Sequence, residues 1–288
     1  MADEFEDQAK PQKKAGARVD LATVLGLVVA MAGILGGLII EGGKINDVAQ
    51  FTAALIVICG TLGAVMVSTP MSVLISAARG FMGVLIDRTQ PVDGLIEEMI
   101  GYATKARKMG LVSLERQAME ITDPFLSKAL NLAVDGTDLQ ELRRMLELEI
   151  DLEQHYAEAQ GKVFESAGGF APTVGIIGAV LGLIQVMKNL ANIDEVGHGI
   201  AVSFVATVYG VALANLFLLP AAAKIKARAH AETHRKELIL EGVCGIVEGL
   251  NPKLIRSKIE AYSHAGGHAK VKAKGNPSTA AEPAGAEA

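Results

Sequence analysis

The chain has 288 residues, half of them apolar, with few aromatics, no Trp, 31 Gly and a formal net charge of -5. A mildly acidic balance gives no general affinity for nucleic acid, and the apolar excess suits a membrane protein better than a soluble core of this size. Its two cysteines, Cys59 in an apolar run and Cys244 in a polar helical region, argue against a disulfide framework and read as reduced structural thiols.

Residues 1–19 mix acidic and basic side chains with few apolar anchors and read as a disordered tail. No cleavable signal peptide of the usual form is present, and the first apolar run is long enough to be a retained anchor. Residues 20–69 read as a membrane hairpin. Asp20 is placed to cap a helix from Leu21 to about Ile40, a polar link follows over Glu41–Asp47, and a second apolar run covers about Val48–Thr69, ending before Pro70.

Charges return over residues 70–165. Apolar residues recur there at helical spacing, as in Leu95, Ile96, Met99, Ile100 and Ala103, and again in Leu139, Leu142, Met145, Leu146 and Ile150. Breaks fall at Gly110, Asp123-Pro124 and Asp135-Gly136. This block reads as a helical domain in water whose last helix, from Asp138, continues into the third span.

Residues 166–220 carry spans three and four. Ala167–Met187 holds no charged side chain and is about 20 residues long, enough to cross a bilayer core. Its small residues fall four apart, at Ala171 and Gly175, Gly175 and Ala179, and Gly178 and Gly182, so one edge of the helix is nearly bare backbone. Pro172, one turn inside, removes a backbone donor and is expected to loosen the helix there. After a link over Lys188–His198, the fourth span runs from about Gly199 to Leu219 and is expected to stop at Pro220. It too has small residues four apart, at Ala206, Gly210 and Ala214. Residues 221–264 read as charged C-terminal helices and residues 265–288 as a disordered tail.

The fold class expected is therefore all-α: a polytopic membrane protein with four transmembrane helices and a helical cytoplasmic domain. Basic residues flank the spans at Lys13, Lys14 and Arg18, at Arg79 and Arg88, and at Lys224, Lys226 and Arg228, whereas the short links carry only Lys44 and Lys188. Both termini and the central domain are therefore expected in the cytoplasm.

Catalytic signatures are missing. Gly197 and Gly199 begin a dinucleotide-type turn, but Val202 stands where its third Gly belongs, and no phosphate-binding loop or HExxH occurs. His230 and His234 share a helix face that reads as solvated, with no further ligand converging from sequence. Neither enzyme activity, a cofactor nor a metal is expected. No span has an Asp, Glu, Lys, Arg or His at its centre, only polar atoms such as those of Thr173, Ser203, Thr207 and Tyr209. Ion movement through a bilayer usually needs a group that takes or releases charge at mid-depth. Either the chain conducts nothing, or a partner helix supplies that group, and the bare edges of spans three and four would suit such a partner.

Four stretches now carry a resemblance: DLATVLGL from Asp20, ARKMGLVSLER from Ala106, GGFAPTVGIIGAVLGLI from Gly168 and FVATVYGVALANLFLLP from Phe204. Together they resemble the flagellar motor stator A subunits, MotA and PomA, of the MotA/TolQ/ExbB superfamily, over about Asp20–His264. The resemblance implies a bacterial inner-membrane complex in which A subunits, five in the family pattern, surround two single-span B subunits (MotB/PomB-like) whose Asp carries the ion. Ion flow would turn the A ring against the rotor protein FliG. It implies that Pro172 and Pro220 are the two functional prolines of the channel helices, that Thr207 and Tyr209 lie among the channel residues, and that Arg107 and Glu115 are the charged pair meeting the rotor, with Lys108 an auxiliary basic position. Arg116 departs from sodium-type members, which carry an acid there. Sodium-driven members also place a Thr where Ala179 stands, so proton coupling is expected: a hard cation sheds water only where oxygen atoms replace it. Two other readings are an ExbB- or TolQ-type energiser, which typically has three spans and the opposite N-terminus, and a small secondary transporter, which the lack of mid-membrane charge and of clear repeats disfavours.

Overall fold

A computed structural model describes residues 18–84, 86–87, 92–188, 190–191 and 193–261. The described residues are almost wholly helical: α1 Leu21–Ile40, α2 Ile45–Val48, α3 Phe51–Ser68, α4 Met71–Val84, α5 Val92–Met109, a 3-10 turn at Leu111–Leu114, α6 Glu115–Glu120, α7 Pro124–Val134, α8 Leu139–Lys188, α9 Ile193–Ala212, a π-helical segment Leu213–Leu218, and α10 Leu219–Val247. A last helix, α11, covers residues 252–261. A single antiparallel pairing, Arg18 with Asp87 and Val19 with Ile86, is the extended structure among the described residues. Of the tails expected to be disordered, 1–19 and 265–288, all but Arg18 and Val19 lie outside the described residues, and those two are paired in the strand.

Four helical stretches are long and apolar enough to cross a membrane, within Leu21–Ile40, Phe51–Ser68, Leu139–Lys188 and Gly199–Val247. Helix α1 begins where Asp20 accepts a hydrogen bond from the Thr23 amide at 3.2 Å, satisfying one of the donors that a helix start leaves free. No residue of α1 is buried, which suits lipid as its solvent, because its backbone polar groups pair internally. The link after α1 contains the short helix α2, and α3 starts at Phe51, three residues later than the apolar run alone places it.

By contacts, the described residues form two compact units, one from residues 92–150 and 233–261 and the other from 18–87 and 151–232. The first has a core built on Met99, Leu114, Phe125, Leu126, Leu130, Leu142, Leu146, Leu238, Ile239 and Ile255. Its turns are set by local chemistry. Asp123 caps α7 through the Phe125 and Leu126 amides at 2.9 and 3.1 Å, with Pro124 in the first turn. Gly110 and Gly136 adopt φ of 82° and 75°, which an L side chain resists. The buried Glu241 carboxylate lies between Arg143 and Lys258, each at 2.6 Å, and is held below the usual carboxylate range only because these two donors outweigh its desolvation. Cys244, which the sequence places in a polar helical region, is fully buried in this core.

The second unit contains α1, α3, α4, α9 and the parts of α8 and α10 within its range. Asp20 there accepts from both Lys224 and Arg228 of α10. The Lys224 hydrogen bond, followed by that from Thr23, holds its carboxyl at about 2. This depression contributes stability above the ordinary value and is lost only as pH falls through about 2, so the clamp is intact across the physiological range.

The structure corrects the expectation that the fourth span stops at Pro220. The helix passes through it: α9 leads into the π segment, and α10 carries Pro220 in its first turn. The Leu219 amide donates to the Ala214 carbonyl, five residues back. The wider π turn relieves the clash and the lost i to i-4 bond that Pro would otherwise cause.

Candidate channel wall and rotor corner

The small-residue edges of α8 and α9 face each other within one chain. A Cβ built on Gly210 would stand 2.5 Å from the Ala171 carbonyl oxygen and 3.1 Å from the Gly175 Cα. One built on Gly175 would stand 2.9 Å from the Ala206 oxygen, and one on Gly182 would overlap the Ser203 hydroxyl and lie 3.1 Å from the Gly199 oxygen. Backbone meets backbone along three turns, the close approach that small residues permit in lipid. This revises the expectation that the bare edges await a partner helix: each is used by the other. What α8 and α9 present outward is instead apolar bulk, including Ile176, Ile177, Val180, Phe204 and Val208.

Pro172 lies inside the unbroken 50-residue α8, at the level of the tightest contact. It has no amide hydrogen, so the Gly168 carbonyl lacks its intrahelical donor. Thr173 turns its hydroxyl back to the Phe170 carbonyl at 2.7 Å. Ala179 is half-buried and offers no oxygen. Thr207 is half-buried, and its hydroxyl lies 3.4 Å from the Ser203 carbonyl. Ser203, buried, donates to the Gly199 carbonyl at 2.8 Å. Each hydroxyl is thus satisfied by its own helix. The Tyr209 hydroxyl donates to the Val48 carbonyl and accepts from the Gln50 amide at 3.2 Å, tying α9 to the start of α3. Pro220 is exposed. Ser166–Met187 and residues 200–223 contain no Asp, Glu, Lys, Arg or His.

Arg107 and Lys108 end α5, and Glu115 opens α6; all three are exposed, as is Arg116. Gly110 and the 3-10 turn bring the two helix ends into one corner. Basic groups at a helix C-terminus and an acid at an N-terminus complement the helix dipoles, so the corner holds its charges at little cost. Met109, Val112 and Met119 are exposed beside them. The prolines and the small edges belong to one unit and the charged corner to the other. The π segment and the Asp20 clamp escaped the sequence reading; a π turn has no compositional mark, and the clamp joins residues some 200 apart.

Residues 24–108 match the motility protein A N-terminal family, and residues 117–238 match the MotA/TolQ/ExbB proton channel family. Motility protein A of Bacillus subtilis (strain 168) is 31% identical over 245 residues, covering 85% of this chain and 91% of that protein. The chemotaxis protein PomA of Vibrio alginolyticus is 32% identical over 249 residues, covering 86% and 97%. Among solved structures, C. jejuni MotAB matches with a TM-score of 0.81 at 31% identity, over 84% of this chain and 95% of that one. The flagellar MotAB stator complex from Bacillus subtilis matches with a TM-score of 0.78, also at 31% identity and the same coverage. The two family matches, the near full-length relatives and the shared helical architecture agree: this chain belongs to the motility protein A branch of the MotA/TolQ/ExbB proton channel family.

Proposed function

We infer that this chain is the A subunit of a bacterial flagellar stator, an inner-membrane protein that couples ion flow to torque on the rotor. The observation that carries the reading is the pair α8 and α9: a tightly packed, bare-edged wall with a proline at its closest contact and no intramembrane acid. Such a wall cannot carry an ion alone, which calls for a single-span B-type partner whose Asp supplies the titratable group. The family is a channel family and not a known enzyme family.

Five copies around two partner subunits is the arrangement the family resemblance favours. The basic residues near the spans favour cytoplasmic termini, with the block 70–165 and residues 221–264 on the same side. Pro172 and Pro220 serve as the points where channel state changes helix geometry; Ala179, Thr207 and Tyr209 line or brace the same helices.

Arg107, Lys108 and Glu115 form the contact with FliG. Complementary charges steer repeated encounters without a tight, slow-release interface. Reversing Arg107 or Glu115 singly is expected to cut torque while leaving membrane insertion and fold unchanged, since exposed charges contribute about 0–1 kcal/mol to stability. Tethered-cell rotation checks this, and normal torque in both variants removes the pair from the contact.

The ion is the proton. Ala179 withdraws one oxygen from any sodium cage, and the Thr207 hydroxyl is turned toward its own helix. Swimming speed is expected to hold constant as external sodium is varied at fixed pH; speed that tracks sodium overturns this assignment.

A further inference from the structure

The first compact unit buries most of its large apolar side chains in one core. The three most exposed among its described residues, Met109, Val112 and Met119 at 69%, 69% and 73%, all lie in the corner between α5 and α6; the next, Leu148, is 58% exposed. A lone exposed apolar side chain needs no explanation, but three gathered among charges mark an interaction surface. Their spacing gathers them. The Glu115 amide donates to the Val112 carbonyl across the 3-10 turn, and residues three apart in such a turn eclipse. Glu115 and Met119 are four apart on α6 and share its face. Val112, Glu115 and Met119 therefore form one row, about 12 Å long at the rises of the two helix types. Met109 stands across Gly110 from this row, directly after Arg107 and Lys108, and the exposed Arg116 and Glu120 flank it.

The backbone under the row is held from behind. The Gly110 amide donates to the Ala106 carbonyl at 2.8 Å, and the Ser113 hydroxyl to the Gly110 carbonyl at 2.6 Å. Leu114 and Ala118, both fully buried, key the inner side of the corner into the core. The Ser127 hydroxyl donates to the Ala118 carbonyl at 2.7 Å and braces α6 against α7. An apolar row on a fixed backbone with charges around it has the makeup of an interface centre and its polar rim, and methionine is among the residues enriched in such centres.

We propose that the rotor docks on this row through an apolar helix face about two turns long, with an acid opposite Arg107 and Lys108 and a base opposite Glu115. The proposal rests on the reading of this corner as the rotor contact and adds what sustains it. The charges steer each approach, and Val112, Met119 and Met109 hold the contact under load by burying apolar surface. Methionine suits that task, because its unbranched thioether repacks against successive partners instead of fixing one geometry.

Stall torque per stator in tethered cells tests it, with the full chain carrying either Val112→Thr and Met119→Gln together or the apolar pair Val112→Ile and Met119→Leu, and with Arg107→Glu measured in parallel. The first pair changes polarity at nearly constant shape, and substitutions at such exposed sites leave the fold as in the parent. The expected result is about a fivefold loss of torque for the polar pair, the scale of one lost apolar contact, and parental torque for the apolar pair. Parental torque in the polar pair, with torque lost in Arg107→Glu, overturns the proposal and leaves a rotor contact made by charge alone. Parental torque in the polar pair and in Arg107→Glu removes the corner from the rotor contact, and the proposal falls with it. An equal loss in the polar and apolar pairs also overturns it, because shape and not apolarity then decides.

Discussion

Replacing Pro172 with Ala is expected to leave the complex assembled and to remove most of its torque. Alanine fills the same place in α8 and supplies the amide hydrogen that the Gly168 carbonyl lacks. The helix interior should gain up to about 3 kcal/mol, the usual penalty of an internal proline. Stability therefore moves opposite to function. The lost quantity is a point of give, placed where Ala171 and Gly175 meet Gly210 backbone to backbone. Thermal unfolding of the purified complex checks the first half and tethered-cell torque the second. A variant that fails to assemble would make Pro172 a packing residue, and one with normal torque would remove it from coupling.

Gly210→Ala is expected to be among the most damaging single methyl additions in the chain. The new Cβ would stand 2.5 Å from the Ala171 oxygen and 3.1 Å from the Gly175 Cα, and both are backbone atoms that cannot rotate away. The helices must separate, at a cost of about 1–3 kcal/mol for overpacking. The matched comparison is Gly101→Ala in α5, where nothing lies within 4 Å and a helix gains about 1 kcal/mol from the change. A lowered unfolding temperature and lost motility for the first, with neither for the second, is the expected pattern. Normal stability in Gly210→Ala would mean that α8 and α9 are not in backbone contact.

Much of this was legible in the residues. The start of α1 at Asp20 follows from cap chemistry, and the turns at Gly110, Asp123-Pro124 and Gly136 follow from residues with few conformational alternatives. The bare edges of α8 and α9 could be read from spacing, but not what would fill them. A small residue permits close approach without choosing the neighbour, and only the folded chain shows each edge taking the other. Pro220 misled for a similar reason. Proline forbids an ordinary helical bond, and the chain answers by widening the turn before it at Leu213–Leu218, a choice made by packing. The pairing of Asp20 with Lys224 and Arg228 links distant residues, and no local pattern announces it. The roles of Arg107, Lys108 and Glu115 came from resemblance: on geometry alone they are exposed charges that complement helix ends.

The most direct measurement is proton flux in proteoliposomes holding this chain together with its single-span partner, before and after the partner's intramembrane Asp is changed to Asn. The expected result is a stable complex whose flux depends on that Asp, with motility lost in cells carrying the same change. A complex that conducts equally well without the Asp, or a chain that binds no such partner, would contradict the conclusion that α8 and α9 are the wall of a shared channel.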